Sequence, residues 1–261
     1  MYICPKCKEK LVLNDRTYKC SNNHSYDKAK EGYVNLLLKN SKNHGDNKDM
    51  VLARRHFLEH DYYKVMANEL IKCIEVLPHD TIIDLGCGEG YYTNLIENTL
   101  HSTVYANDVS KEAIRLASKQ NKNINYFIAS TAELPLPTTS IDVATCIFSY
   151  IDFKEIHRIL EQGGYLFTVM PAKLHLFELK EHVYDTPYMN EEKIPTSELF
   201  ELCETKNVHY EFTLPNNEAI QELFTMTPYY FKTSQKDKDK LNALSELTLH
   251  ASFLINIYKA K

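Results

Sequence analysis

The apolar run Thr81-Ile82-Ile83-Asp84-Leu85 passes directly into Gly86-Cys87-Gly88-Glu89-Gly90 and then into a helix-forming stretch from Tyr91 to Leu100. Nothing else in the chain narrows the fold as much. A continuous apolar run of this length is the pattern of a parallel strand buried on both faces. Glycines at alternate positions let the backbone turn sharply and pass close beneath a ligand. Strand, glycine-rich turn and helix in that order open a doubly wound, Rossmann-like α/β sheet, which binds its ligand at the carboxyl ends of the strands where the strand order reverses. The pattern then continues. Ser102–Asp108 reads as a second strand ending in an acid 18 residues beyond Gly90, Ser110 as the N-cap of a helix through Gln120, and Asn125–Ala129 as a third strand. Ser140–Phe148 and, after a short helix, Gln162–Val169 supply the fourth and fifth; an insertion from Met170 to Asn207 precedes two more strands, Val208–Leu214 and Leu247–Tyr258.

The glycine spacing bears on the ligand. A dinucleotide site usually carries Gly-x-Gly-x-x-Gly, with the pyrophosphate on the helix N-terminus. Asp84-x-Gly-x-Gly-x-Gly is instead similar to motif I of the class I S-adenosylmethionine-dependent methyltransferases. Their cofactor has no phosphate, and a carboxylate near its cationic methionine end is favourable. The resemblance implies that Asp84, Gly86, Gly88 and Gly90 hold the cofactor, that Asp108 accepts from the ribose hydroxyls, and that Ala132 and Glu133, in the loop Ser130–Pro135, lie by the adenine. The residues alone leave Glu89 and Glu133 open as solvated loop acids and Cys87 as a small buried filler.

The first 38 residues have a different character. The chain begins without the basic region and apolar run of a secretory signal and contains no stretch of about 18 apolar residues, so we expect a cytoplasmic protein with no membrane partner. Seven cysteines, an odd number, then argue for metal binding or burial over a disulfide framework. Cys4-x-x-Cys7 and Cys20-x-x-x-His24 form two close ligand pairs separated by 12 residues. Three thiolates and an imidazole suit four-coordinate Zn²⁺, and with every position filled by protein the site is structural. So short a segment buries too little apolar surface to fold without it. Lys10–Leu13 and Thr17–Lys19 flank a turn and read as a ribbon. Its Lys6, Lys8, Lys10, Arg16, Lys19, Lys28 and Lys30 could track phosphates, with Tyr18, Tyr26 and Tyr33 offering stacking faces. Charge is distributed accordingly: residues 1–60 carry 12 basic against 7 acidic side chains in a chain of net charge −5. An anionic partner and a merely solvated lysine-rich surface both fit that count.

Three segments follow: a zinc-binding, RNA-recognising domain at 1–38, a linker with adapter helices at 39–78, and the methyltransferase domain at 79–261. Lys39–Asn47 has no apolar residue and reads as a polar linker. From Lys48 to Leu77 apolar residues recur at helical spacing with a break near His60-Asp61, giving two helices that pack on the core; Arg54-Arg55-His56 reads either as an RNA contact or as a surface cluster.

Taken together, the Cys₃His pairs, Lys30-Glu-Gly-Tyr-Val-Asn-Leu-Leu37, Ala53-Arg-Arg-x-Phe-Leu58, Asp84-x-Gly-Cys-Gly-Glu-Gly-Tyr-Tyr-Thr93 and Met226-Thr-Pro228 resemble the 23S rRNA guanine-N1 methyltransferases of the RlmA type over essentially the whole chain. The resemblance implies methylation of one guanine in a hairpin of bacterial 23S rRNA, free or within an assembling large subunit, in a tunnel region where some macrolides bind. It also implies a homodimer, zinc on Cys4, Cys7, Cys20 and His24, and cofactor contacts from Tyr63, Tyr92, Thr93 and His175. Tyr63 remains open as a helix-packing aromatic and His175 as a surface histidine. Two departures stand out: a linker poor in arginine, and no proline in Phe148-Ser-Tyr-Ile-Asp152 after the fourth strand. Guanine N1 must shed a proton for the reaction, and position after the fourth and fifth strands makes Asp152 and His175 the candidates to accept it. Two other readings fit the sequence: a small-molecule methyltransferase, and a non-catalytic zinc-dependent RNA-binding or resistance factor that would not bind S-adenosylmethionine.

Overall fold

The computed structural model describes residues 1–38 and 48–261; the expected linker Lys39–Asn47 lies outside the described residues. Four short strands, β1 (Tyr2–Ile3), β2 (Lys10–Asn14), β3 (Thr17–Lys19) and β4 (Ser25–Asp27), make an antiparallel ribbon in the order β1-β2-β3-β4. After β5 (Val34–Asn35) come two helices, α1 (Lys48–Glu59) and α2 (Lys64–Glu75). The expected break between them is a turn in which Asp61 takes a left-handed φ of 61° and its carboxylate accepts from Lys64 Nζ at 2.6 Å.

The catalytic-sized unit alternates as expected: β6 (Thr81–Leu85), α3 (Tyr91–Leu100), β7 (Thr103–Asp108), α4 (Lys111–Gln120), β8 (Asn125–Ile128), β9 (Ile141–Ile147), α5 (Phe153–Ile159) and β10 (Leu160–Pro171). Then follow α6 (Phe177–Val183), β11 (Phe200–Leu214), α7 (Asn217–Met226), α8 (Gln235–Asp239) and β12 (Leu247–Ala260). The sheet order is β11-β12-β10-β9-β6-β7-β8-β5, with β12 antiparallel to both neighbours and the other pairings parallel. Strand β6 is central, and Ile82, Ile83, Asp84 and Leu85 are all buried, which is why its sequence reads as one apolar run. The order reverses beside it, so the ends of β6, β7 and β9 open onto one crevice. Ser110 caps α4 as expected, accepting from Ala113 N–H at 3.3 Å.

Two boundaries differ from expectation. β11 starts at Phe200, not Val208, which shortens the insertion. Its first half, Glu201-Leu202-Cys203-Glu204, is exposed on an outer strand, so it pairs through backbone alone and has no apolar alternation to betray it; a bulge sits between Leu202 and Glu204. The second difference concerns residues 1–38. Val34 and Asn35 pair in parallel with Phe127 and Ile128, and Tyr2, Cys4, Leu11 and Cys20 share one apolar core with Ile83, Tyr105 and Phe127 of the main sheet. Ribbon and sheet are thus packed as one body across the boundary expected at residue 38.

Candidate active site

At the carboxyl ends of β6, β7, β9 and β10 lies a cavity of about 1020 Å³. The glycine turn forms its floor. Gly86 has φ +70°, and a Cβ there would lie 2.6 Å from Ser149 Cβ, so the turn and the loop after β9 approach as only glycine allows. Gly90 starts α3 with φ +87°, and a Cβ would come within 2.7 Å of Tyr126 Oη. The third glycine, Gly88, lines the cavity and gives its N–H to Asp108 Oδ2 at 3.1 Å.

Three acids surround that turn. Asp84, 1% exposed, accepts from the Thr93 hydroxyl at 2.5 Å and the Thr145 hydroxyl at 2.8 Å. Burial outweighs those bonds and, with Asp108 nearby, pushes its carboxyl up to about 6. Glu89 is raised to about 7, chiefly by burial, with the Arg54 guanidinium pulling the other way. Asp108, at the end of β7, accepts from Gly88 N–H and from Ser110 N–H at 2.7 Å. The two buried carboxyls, Asp84 and Glu89, raised toward neutrality, suit a cationic ligand, which would restore their full charge.

Opposite the turn, Tyr63 and His175 meet at 3.2 Å between Oη and Nε2, and His175 Nδ1 accepts from Ser252 N–H at 3.2 Å. Enclosure among aromatic rings holds the imidazole well below its ordinary value, at about 3, so it is neutral, and the Ser252 bond places its one proton on Nε2. His175 therefore donates to Tyr63 Oη, which leaves the tyrosine proton for the cavity. With both nitrogens committed, His175 presents no lone pair to accept a proton from a substrate. It fixes Tyr63.

In the ribbon, Cys4 Sγ and Cys20 Sγ lie 3.4 and 3.5 Å from His24 Nδ1, Cys7 Sγ lies 3.6 Å from Cys20 Sγ, and all four ligand atoms fall within 4.8 Å of one another. Tetrahedral zinc with bonds of about 2.3 Å to sulfur and 2.0 Å to nitrogen requires edges of roughly 3.5–3.8 Å. The donor set therefore fits the ion in number, softness and size. Both pairs sit on tight turns, with Lys8 N–H on Cys4 O at 2.8 Å, Asn23 N–H on Cys20 O at 3.0 Å, and left-handed Lys8 and Asn23.

Comparison with known proteins fits both halves. Residues 2–44 match the family described as RlmA, N-terminal, a zinc ribbon, and residues 83–168 match a methyltransferase domain family. The chain is 33% identical over 182 residues to the 23S rRNA (guanine(748)-N(1))-methyltransferase of Streptomyces fradiae, an alignment covering 67% of this chain and 65%, just under two thirds, of that enzyme. A Bacillus subtilis protein named for 23S rRNA guanine-N1 methylation is 28% identical over 95% of this chain and 92% of its own. The chain is similar to the RlmA-type methyltransferases. Among solved structures, the methyltransferase in the complex with the Haloferax volcanii Trm112 activator superposes with TM-score 0.51 at 16% identity, covering 83% of this chain and 99% of that one, a likeness of fold. The methyltransferase domain takes S-adenosylmethionine as its cofactor, and the ribbon, with its four-ligand cluster, a structural zinc.

The cavity of this RlmA-like protein brings together Tyr63, Asp84, Gly86, Gly88, Tyr92, Asp108 and His175 from the expected set. The others lie elsewhere. Thr93 is wholly buried behind the wall and acts through Asp84. Ala132 and Glu133 are exposed, Glu133 pairs with Lys8 at 2.8 Å, and Ser130 and Thr131 of the same loop line the cavity in their place. Asp152 is the N-cap of α5, accepting from Glu155 N–H at 3.0 Å, and does not reach the cavity.

Other expectations are corrected too. Arg55 pairs with Glu59 and His56 with Glu222, whereas Arg54 lines the cavity near Glu89. Tyr33 is buried, Tyr26 is bonded to Cys4 Sγ at 3.4 Å and Tyr18 packs edge-on against Tyr2, so none is free to stack on a base. Lys6, Lys10, Arg16, Lys19 and Lys30 remain exposed. Sequence reasoning missed the half of the cavity built by Lys180, Tyr188, Asn190 and Tyr229. Only the length of the insertion after the fifth strand pointed there.

Proposed function

We propose that this enzyme transfers the methyl group of S-adenosylmethionine to N1 of one guanine in bacterial 23S rRNA, within a hairpin of the tunnel region. The observation that carries this reading is the fusion of the zinc ribbon to the sheet whose strand ends form the cofactor cavity. A ribbon with five exposed basic side chains, packed through Tyr2 onto Tyr105 and Phe127, joins an RNA-attracting face to a methyl-transfer site in one rigid unit. The relatives from S. fradiae and B. subtilis, both named for this modification, support it. A homodimer acting in the cytoplasm on free rRNA or on an assembling particle completes the reading.

The cofactor supplies an electrophilic methyl carbon on a cationic sulfur. Asp84 and Glu89 set the negative field that holds that charge; Asp108 offers its carboxylate to the ribose hydroxyls; the Tyr63 hydroxyl, oriented by His175, donates into the cavity. Tyr92 and Phe148, with ring centroids 6.3 Å apart, bound the space beside the glycine turn. The rate advantage comes mainly from alignment of N1 with the methyl carbon.

The test is transfer of labelled methyl to unmodified 23S rRNA followed by primer extension, since N1-methylguanine blocks pairing. A stop at one hairpin guanine is expected. Cofactor binding without label in naked RNA or in large-subunit particles overturns the reading.

A further inference from the structure

The far end of the cavity holds a buried cation with no counter-ion among the described residues. Lys180, on α6, is 1% exposed. Its Nζ donates to Tyr188 O at 3.2 Å and Asn190 Oδ1 at 2.6 Å, lies 4.4 Å from the Tyr188 ring centroid and 5.8 Å from that of Tyr229, and lines the cavity. The amide of Asn190 is locked, because Nδ2 donates to Ala172 O at 3.0 Å and His175 O at 3.1 Å. The third Nζ–H has no acceptor among the described residues. No carboxylate there pairs with it: Glu178 on α6 is held by His250 at 2.6 Å, Asp185 by Lys240 at 2.8 Å, and Glu192 by the Lys173 amide at 2.5 Å. The remaining titratable groups around it are His175, neutral, the phenols of Tyr188 and Tyr229, and the cavity-lining Lys193 and Lys232. None is an anion.

Beside it, the Tyr229 hydroxyl is buried and makes no hydrogen bond among the described residues. The Thr227 hydroxyl, near enough to influence its ionisation, gives its own proton to Phe224 O at 2.6 Å. Burial raises Tyr229 above the usual phenol range, so it stays a donor. Buried charges and buried hydroxyls are ordinarily partnered. Here two donors, one cationic, converge on the same end of a ligand cavity without an acceptor, which is the arrangement that stabilises charge developing in a reaction.

We propose that the Lys180 ammonium and the Tyr229 hydroxyl form the acceptor-base site and bind the carbonyl oxygen of an NH-acid that becomes anionic as it is methylated, an inference that rests on the guanine-N1 reading. Guanine has this chemistry: N1–H loses its proton to water entering the open cavity, and the charge spreads onto O6 beneath the two donors. N1 then forms a bond to the methyl carbon as the carbon–sulfur bond breaks with its electron pair going to sulfur. The lysine thereby makes N1 easier to ionise, and no protein base is needed.

The test uses the full-length zinc-loaded enzyme, S-adenosylmethionine and a 23S rRNA fragment in single-turnover reactions from pH 6 to 9.5, with cofactor affinity measured by calorimetry. For Lys180→Met we expect cofactor affinity within about threefold of wild type, a rate at pH 7.5 lowered by about 100-fold, and a rate–pH midpoint moved up by about one pH unit or more. Lys180→Arg, which keeps a cation, should restore the midpoint in part, and Tyr229→Phe should lower the rate about tenfold. An unchanged midpoint in Lys180→Met overturns the inference, whether the rate is retained or cofactor affinity is lost. If Lys180→Met does not fold, a wild-type rate and midpoint in both Lys180→Arg and Tyr229→Phe overturns it, and their reduced rates with cofactor affinity retained support it. Failure of the wild-type enzyme itself to label RNA is a different result and removes the guanine reading.

Discussion

Asp84→Asn should stabilise the cofactor-free enzyme while abolishing its use. The carboxyl of Asp84 moves from an ordinary 3.8 to about 6 on folding because it is buried. A carboxyl raised in this way has its stability intact below 3.8 and loses it as pH rises through about 6, so ionisation of Asp84 costs the native state about 3 kcal/mol at pH 8 and about 1.6 kcal/mol at pH 5. Asparagine removes the ionisation and keeps an oxygen to accept from Thr93 or Thr145, its amide donating to the other hydroxyl. Whatever the re-pairing contributes is the same at both pH values. Urea unfolding of the cofactor-free proteins at pH 5 and pH 8 should therefore show the stability of Asp84→Asn relative to wild type rising by about 1.4 kcal/mol between them. Calorimetry at pH 8 should show S-adenosylmethionine binding weakened by about 100-fold, since a buried charge partner is worth about 3 kcal/mol. A stability difference independent of pH, or cofactor affinity equal to wild type, would refute the assignment of Asp84 as the charge that waits for the cation.

Removal of one zinc ligand by Cys7→Ser should lower bound zinc below one per chain by elemental analysis and reduce the melting temperature, because the metal supplies much of the ribbon's folding energy. Tyr2→Ala empties the contact between ribbon and sheet, where the ring meets Tyr18, Tyr105 and Phe127 edge-on at 5.3–5.8 Å; chemical denaturation should register a loss of about 3–4 kcal/mol with zinc content unchanged. His175 is neutral across the working range, so the pH–rate profile of His175→Gln should keep the wild-type shape at reduced cofactor affinity, and loss of a limb near pH 6–7 would contradict this.

The parts of the fold legible in the sequence were those whose chemistry is local. The strand-turn-helix at Thr81–Leu100, the acid closing β7, the Ser110 cap and the two metal-ligand pairs each follow from spacing within about twenty residues. What escaped depends on partners distant in the chain. Val34-Asn35 is too short to read as a strand and exists because β8 lies beside it. Glu133 is a loop acid in sequence and a partner of Lys8, 125 residues away, in the structure. Arg54 reads as surface charge until α1 is laid over the glycine turn. The acceptor half of the cavity, from Lys180 to Tyr229, is assembled by an insertion and the segment after α7, and neither has a periodicity that announces its neighbours.

The two outer edges of the main sheet are guarded by different means. On one side β11 presents Glu201, Glu204 and Glu211 along an exposed strand, a charged border that discourages pairing with another chain. On the other, Val34-Asn35 covers β8, whose Tyr126-Phe127-Ile128 is fully buried, and that cover directly follows the zinc ribbon. Zinc is thus a guard against self-association as well as a fold element: when it leaves, the strand it anchors can lift, and an apolar parallel edge becomes a template for a second copy. Metal starvation should accordingly reach this enzyme as aggregation, visible by sedimentation of the chelated protein, before its catalytic half unfolds.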